Sequence, residues 1–282
     1  MELSSKDYSY NEYHSLTLMA TFYRSSSSSK NHTIIYLHGG GLLYGQRNDL
    51  PEVYIDSFLE AGYHFLSLDY PLAPESPLKD IYQEIKKGIQ WFIAEHQTTL
   101  SVDSNTFSLF GRSAGAYLAL LLAKDSELPK PKKLISFYGY YTLKETSLQS
   151  PNSFYKKYTA MPESIIQKLI GTTPIANGPI QTRFALYLYA RQTGKWIGYL
   201  KASEKDLQNF SLTKSDLAAL PPTFIAQSRA DQDVPFQMGQ YLYESIPDSY
   251  FFTVNDLEHD FDRQTSIPEA KEVYKRLINW LS

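Results

Sequence analysis

Gly111-Arg112-Ser113-Ala114-Gly115 fits the pattern Gly-x-Ser-x-Gly. Residues 106–110 before it predict a strand, and residues 114–123 after it predict a helix rich in alanine and leucine. A sharp strand-to-helix turn can hold a serine oxygen clear of the backbone, and the glycines are needed because a side chain there would crowd the turn. The pattern also occurs in ordinary glycine-rich turns, but its strand and helix context favours a nucleophilic serine at Ser113.

The composition limits what this chain can be. It has 282 residues, of which 43% are hydrophobic, enough for one large core. The net charge of −3 provides no basic field for nucleic acid. There is no cysteine, which excludes disulfides, thiolate chemistry and cysteine-based zinc sites. We expect no nucleic-acid partner, no metal and no cofactor.

Two further features predict a location in the cell. The first seven residues lack the basic start and the apolar core of a signal peptide. No apolar run approaches the length of about 18 residues that a membrane-spanning helix needs. We therefore expect a cytoplasmic protein without a membrane span.

Strands and helices alternate along the chain. This predicts an α/β fold with a mostly parallel sheet and helices on both faces. The serine run at residues 25–29 is interpreted as a flexible hairpin loop. Strands are expected at residues 13–22, 33–37, 63–68, 133–138, 223–227 and 250–254. Helices are expected at residues 50–61, 78–95, 236–245 and 268–280.

The region from residue 141 to 220 breaks this alternation. It contains helical stretches at 163–170 and 182–191 but no clear strand, and it is too long for one crossover. We interpret it as an inserted helical cap. Residues 1–140 and 221–282 then form the catalytic domain. The region is dense in tyrosine and phenylalanine, which either pack the core or line a pocket.

His38-Gly39-Gly40-Gly41 follows the strand at residues 33–37 directly. Glycines allow a loop to approach a ligand closely and to point N–H groups into a pocket. In acyl transfer such donors stabilise an oxyanion, and we assign this role to Gly40 and Gly41, with Ala114 as the remaining donor. His38 and Gly39 are expected to hold the shape of the loop. A Walker-type phosphate loop would need Gly-Lys-Ser/Thr, which is absent.

A nucleophilic serine needs a general base. His259 lies in a loop after the last strand, which suits a base delivered to the carboxyl edge of the sheet. Four other histidines lie in or beside predicted elements and are expected to face solvent or fill the core. His14, His32, His64 and His96 form that group.

The base in turn needs a carboxylate to orient it. Asp231 and Asp233 both follow the strand at residues 223–227. The spacing Asp-x-x-Val-Pro favours Asp231, while Asp233 is expected to cap the helix that begins near Pro235. The resulting order Ser113, Asp231, His259 is that of α/β-hydrolases.

The chain resembles an α/β-hydrolase of the hormone-sensitive-lipase-like esterase group. Four stretches in the group's order carry the resemblance: His38 to Gly41, residues 70–75 (Tyr-Pro-Leu-Ala-Pro-Glu), Gly111 to Gly115 and residues 259–261 (His-Asp-Phe). It departs from the group's pattern at three positions. Arg112 replaces an acidic residue, Pro71 an arginine and Asp260 a glycine.

The resemblance and the motifs lead to a serine carboxylesterase acting on short-chain acyl esters through an acyl-enzyme. An amide or peptide hydrolase with the same triad is an alternative. A second alternative is a non-catalytic ligand-binding homologue, a class that typically loses the histidine. The expected partner is a small-molecule ester, and the oligomeric state stays open, a homodimer included.

Overall fold

The computed structural model of the protein describes residues 4–27 and 30–282. Its centre is an eight-stranded sheet. The strands are β1 (Ser5–Tyr13), β2 (Leu16–Tyr23), β3 (Thr33–Leu37), β4 (His64–Leu68), β5 (Phe107–Arg112), β6 (Leu134–Phe137), β7 (Thr223–Ser228) and β8 (Ser249–Val254).

The strand order across the sheet is β1-β2-β4-β3-β5-β6-β7-β8. From β4 to β8 all neighbours are parallel, whereas β2 runs antiparallel to both β1 and β4. The carboxyl ends of β3, β5, β7 and β8 therefore meet at one edge, where the sequence motifs are concentrated. The predicted α/β fold with a mostly parallel sheet is confirmed.

Helices cover both faces of the sheet. The helices outside residues 141–220 are α1 (Glu52–Glu60), α2 (Leu78–Glu95), α3 (Ala114–Lys124), α10 (Phe236–Ser245) and α11 (Pro268–Leu281). Alternate residues of β3 enter different cores because side chains along a strand point to opposite faces. Ile34 belongs to the core that includes residues of α1 and α11, while Ile35 belongs to the core that includes residues of α2, α3 and α10.

The start of the chain differs from the prediction. Instead of one strand at 13–22, two strands form a hairpin that turns at His14, where φ is 52°. β1 is an edge strand with mostly exposed residues, so it has no apolar pattern that could reveal it. The serine run does not join a hairpin, because β4 lies between β2 and β3; residues 28 and 29 of that run lie outside the described part of the chain.

Residues 141–220 contain helices and no strand, as expected. The helix expected at 163–170 is shorter, ending at Ile166 and followed by a 3₁₀ turn, whereas the one expected at 182–191 is longer. The helices are α4 (Thr146–Gln149), α5 (Glu163–Ile166), α6 (Ile180–Thr193), α7 (Trp196–Tyr199), α8 (Glu204–Asn209) and α9 (Lys214–Ala218).

Across residues 4–27 and 30–282, every helix is too short or too polar to cross a bilayer.

Candidate active site

Ser113 stands at the tip of a tight turn between β5 and α3. Its φ of 53° and ψ of −117° are values that residues other than glycine rarely adopt. A Cβ on Gly111 would lie 2.2 Å from the backbone of Gly115, and one on Gly115 would lie 2.1 Å from the carbonyl oxygen of Leu37. Neither backbone can yield, so both flanking positions require glycine.

The loop after β3 approaches this turn with two glycines in the left-handed region, Gly40 at φ 98° and Gly41 at φ 60°. The carbonyl of Gly40 accepts the N–H groups of Leu43 and Tyr44 at 3.0 and 3.1 Å, which fixes the peptide between Gly40 and Gly41. Within the described residues, the N–H groups of Gly40, Gly41 and Ala114 donate to no protein acceptor. They are free to receive an oxygen atom from outside the chain.

His38 is fully buried at the base of this loop. Its ring stacks on Tyr70 with centroids 4.1 Å apart, and its Nδ1 lies 2.8 Å from the carbonyl oxygen of Gly39. The hydroxyl of Tyr70 donates to the carbonyl of His38 at 2.7 Å. The loop therefore has a hydrogen-bonded support beneath its glycines.

Ser113 meets two residues from separate loops, His259 and Asp231. The Nε2 atom of His259 lies 2.9 Å from the Oγ of Ser113, and its Nδ1 lies 2.8 Å from Oδ2 of Asp231. The other oxygen of Asp231 accepts the N–H groups of Asp233 and Val234, each at 2.9 Å. The side chain of Asp231 is fully buried. The two hydrogen bonds of His259 join the carboxylate, the imidazole and the hydroxyl into one continuous chain.

The surroundings of His259 favour its protonated form. Burial lowers the pKa of the imidazole, but the attraction and the hydrogen bond of Asp231, with further attraction from Asp233 and Asp260, outweigh burial and raise the pKa to about 9. An imidazolium that formed here would therefore be stabilised, as a base that must take a proton from a serine requires.

Asp233 does not cap the helix that follows it, so that prediction is wrong. The N-cap of α10 is Pro235, and the helix has no side-chain cap. Instead, Oδ1 of Asp233 accepts from Nε of Arg191 at 3.0 Å, and Oδ2 accepts from the hydroxyl of Tyr187 at 2.6 Å. A buried carboxylate needs an opposite charge or hydrogen-bond donors, and the buried guanidinium of Arg191 supplies both.

Arg112, one of the departures from the esterase pattern, is buried behind the nucleophile. Its guanidinium donates to Oδ1 of Asp262 at 3.0 Å and to the hydroxyl of Tyr138 at 2.7 Å. Asp262 is fully buried and also accepts from Tyr274 of α11 at 2.7 Å. The turn that carries Ser113 is thereby joined to the loop that carries His259, through partners 150 residues apart.

Helices α6 and α7 contact the glycine loop directly. The indole of Trp196 donates to the carbonyl of Gly41 at 2.8 Å, and Nε of Arg183 donates to the carbonyl of Leu43 at 2.8 Å. A Cβ on Gly41 would lie 2.2 Å from the ring of Tyr187. The sequence did not predict that Trp196, Arg183 and Tyr187 contact this loop. The many aromatic residues at 184–199 were the one sign that this segment packs against the site.

Two cavities adjoin His259, and the smaller of them is also lined by Ser113. The smaller, of about 40 Å³, has room for only a few water molecules, since about 10–15 Å³ of such space holds one. The larger, of about 210 Å³, has five aromatic residues in its wall. The smaller cavity is lined by residues including Gly39, Gly40, Gly41, Ser113 and Tyr187, and the larger by residues including Tyr44, Phe154, Tyr155, Tyr158 and Phe184.

Known proteins share the fold of this chain. A family model described as BD-FAE matches residues 19–246, well over half of the chain. The chain belongs to the BD-FAE family. Among solved structures, an α/β-hydrolase superfamily protein from Enterococcus faecalis is 30% identical, with a TM-score of 0.86 and coverage of 99% of this chain and 98% of that one. The α/β-hydrolase resemblance seen in the sequence is thus confirmed for this BD-FAE member.

Other proteins similar to this BD-FAE chain include a protein of unknown function, an esterase and a polyketide synthase. A Staphylococcus aureus protein of unknown function is 32% identical, with a TM-score of 0.89 and coverage of 98% of each chain. Esterase LipI of Mycobacterium tuberculosis is 29% identical over 74% of this chain and 59% of its own length. A non-reducing polyketide synthase of Penicillium rubens is 27% identical over 46% of this chain, which spans only 6% of that protein.

Proposed function

We propose that the chain is a serine carboxylesterase that hydrolyses short-chain acyl esters through an acyl-enzyme. The observation that carries the proposal is the unbroken hydrogen-bonded line from Asp231 through His259 to Ser113, at 2.8 and 2.9 Å. The membership of the BD-FAE family and the likeness to an esterase such as LipI support the ester class.

In the proposed reaction, the Oγ of Ser113 attacks the ester carbonyl while Nε2 of His259 takes its proton. Asp231 holds the imidazole in the tautomer with a proton on Nδ1 and stabilises the imidazolium. The N–H groups of Gly40, Gly41 and Ala114 receive the oxyanion. His259 then gives its proton to the leaving alcohol, and a water activated by His259 releases the acid from Ser113.

Residues 141–220 are proposed to act as a cap that limits the acyl chain. Tyr187 of α6 lines the smaller cavity beside Ser113, and that cavity offers only about 40 Å³. A chain of roughly two to six carbons is expected to fit best, because rigid aromatic side chains over a pocket limit its depth. Tyr155 and Tyr158 line the larger cavity from the same region.

Covalent labelling tests the nucleophile. A fluorophosphonate should label the wild-type protein and fail to label Ser113→Ala, which should also lose at least a thousandfold in ester turnover. Ser249→Ala is the matched control and should be labelled as the wild type, because Ser249 begins β8 at the opposite edge of the sheet and its hydroxyl donates to two backbone carbonyls. Labelling of Ser113→Ala would contradict the triad, and so would its turnover above a thousandth of the wild-type rate.

A chain-length series of p-nitrophenyl esters tests the cap. The wild type should prefer two to six carbons, and Tyr187→Ala should move the optimum to longer chains because it enlarges the smaller cavity. Tyr243→Ala, at an exposed position on α10, should leave the optimum unchanged. A wild-type optimum at ten carbons or more would refute the proposal. A parallel anilide series separates ester from amide hydrolysis.

A further inference from the structure

The larger cavity beside His259 combines aromatic rings with acidic side chains in its wall. Its five aromatic rings are accompanied by three carboxylates, Asp233, Glu258 and Asp260, by the guanidinium of Arg263, and by the imidazole of His259, which is neutral when it acts as the base. Arg263 is paired with Asp260 at 2.9 Å. Among the described residues of the wall, Asp233 and Glu258 are therefore left without a permanently charged cation when His259 is neutral.

Of the three carboxylates in the wall, Asp233 is the one that also lines the smaller cavity together with Ser113 and lies beside Nε2 of His259. Its Oδ2 lies 4.0 Å from Nε2 of His259, and it lines both cavities. Its partner Arg191 is only 1% exposed. Among the residues that the structure describes, Arg191 does not line either cavity. A ligand in the larger cavity thus meets the carboxylate first and the guanidinium only beyond it.

The carboxylate is held in its charged form. Burial alone would raise the pKa of Asp233, but Arg191, His259 and the hydroxyl of Tyr187 together lower it below its ordinary value. Glu258 is exposed at the mouth of the same cavity. Negative charge is therefore present both at the floor and at the rim.

The position of His259 decides which part of an ester meets this charge. His259 must return a proton to the leaving alcohol, so the alcohol lies against Nε2. The larger cavity is lined by His259 but not by Ser113 or the glycine loop, which line the smaller one, so we assign the alcohol to the larger cavity. Aromatic faces combined with negative charge attract organic cations, quaternary ammonium groups above all.

We propose that Asp233 and the aromatic wall of the larger cavity form a subsite for a positively charged alcohol group, so that the site prefers esters of cationic alcohols over their neutral counterparts. The inference rests on the proposed esterase function. In this subsite Asp233 supplies the fixed negative charge, Glu258 supplies the field at the entrance, and rings such as Phe154 and Phe184 supply the contact surface.

The test compares two esters that differ only in charge. Choline butyrate and 3,3-dimethylbutyl butyrate have nearly the same shape, because a quaternary carbon replaces the nitrogen. Acid release is followed by pH-stat titration at low salt. We expect kcat/KM to be at least about tenfold higher for the choline ester, a factor that corresponds to about 1.4 kcal/mol. The ratio should fall as salt is added, since exposed charges such as Glu258 are screened.

Three variants locate the charge. Asp233→Asn should reduce the choline preference most. Glu258→Gln, at an exposed position where folding is not at risk, should reduce it at least twofold. Glu244→Gln, an exposed acid on α10 away from both cavities, should leave both rates and their ratio unchanged.

The outcomes separate this inference from the proposed function. Hydrolysis of both esters at equal kcat/KM refutes the cationic subsite and leaves the esterase proposal intact. A wild-type preference that survives in Glu258→Gln, and in Asp233→Asn where that variant folds, also refutes it. Failure to hydrolyse either ester, or any p-nitrophenyl ester, refutes the esterase function itself.

Discussion

The ion pair between Arg112 and Asp262 leads to the sharpest prediction about stability. Replacing Arg112 with methionine keeps most of the volume but leaves the carboxylate of Asp262, which is fully buried, without a cation. Breaking a buried pair from one side typically costs about 3–5 kcal/mol. Because Tyr138 and Tyr274 still donate to Asp262 at 2.7 Å each, we expect a loss near the lower end, about 3 kcal/mol.

Urea unfolding followed by tryptophan fluorescence measures this loss. For a slope of roughly 3 kcal/mol per molar, the midpoint should fall by about 1 M. The matched control is Arg276→Met, because Arg276 pairs with Glu272 on the exposed face of α11 at 2.7 Å, and exposed pairs contribute at most about 1 kcal/mol. Adding Asp262→Asn to Arg112→Met should recover part of the loss, since it removes the uncompensated charge.

The reasoning fails if Arg112→Met unfolds at the same urea concentration as Arg276→Met. It also fails if the double variant is less stable than Arg112→Met, because the cost would then come from lost packing and not from a stranded carboxylate.

Three further predictions concern the site. Asp231→Asn should lower kcat on p-nitrophenyl butyrate by about 10⁴ by favouring the wrong imidazole tautomer, and Asp233→Asn should cost much less; equal or reversed losses would move the acid to Asp233. The kcat/KM of the wild type should rise with pH and level off above about 9, because His259, with its pKa raised to about 9, accepts a proton only when neutral. Asp233→Asn removes one cause of that rise and should move the midpoint to lower pH, whereas a flat profile from pH 6 to 9 would contradict the assignment. Gly115→Ala should destabilise by about 3 kcal/mol or prevent folding, because its Cβ would lie 2.1 Å from backbone; Gly198→Ala, with nothing within 4 Å of the added Cβ, should melt at or slightly above the wild-type temperature.

The geometry around the proposed triad also explains why the glycine-rich motifs could be found from the sequence. Gly111 and Gly115 are required by contacts within a few residues or with the adjacent strand. Such requirements leave a short pattern in the chain. The helix α2 could be found in the same way, since Ile81, Ile85 and Ile89 face the core together.

Features that depend on distant partners left no such pattern. Arg112 meets Asp262 across 150 residues, and Asp233 meets Arg191 across 42. From the sequence, the first was an unexplained departure and the second was assigned to a helix cap. Nothing near either residue indicates which opposite charge it will meet.

The sequence by itself determined the alternation of strands and helices, the turn at Ser113, the glycine loop and the choice of His259 and Asp231 as candidates, because each follows from local backbone geometry or from periodicity. Tertiary structure alone decided the hairpin of β1 and β2 at the sheet edge, the support of the glycine loop by Trp196, and the partner of Asp233. These depend on which surfaces meet after folding, and a buried charge settles on whichever opposite charge the packing brings to it.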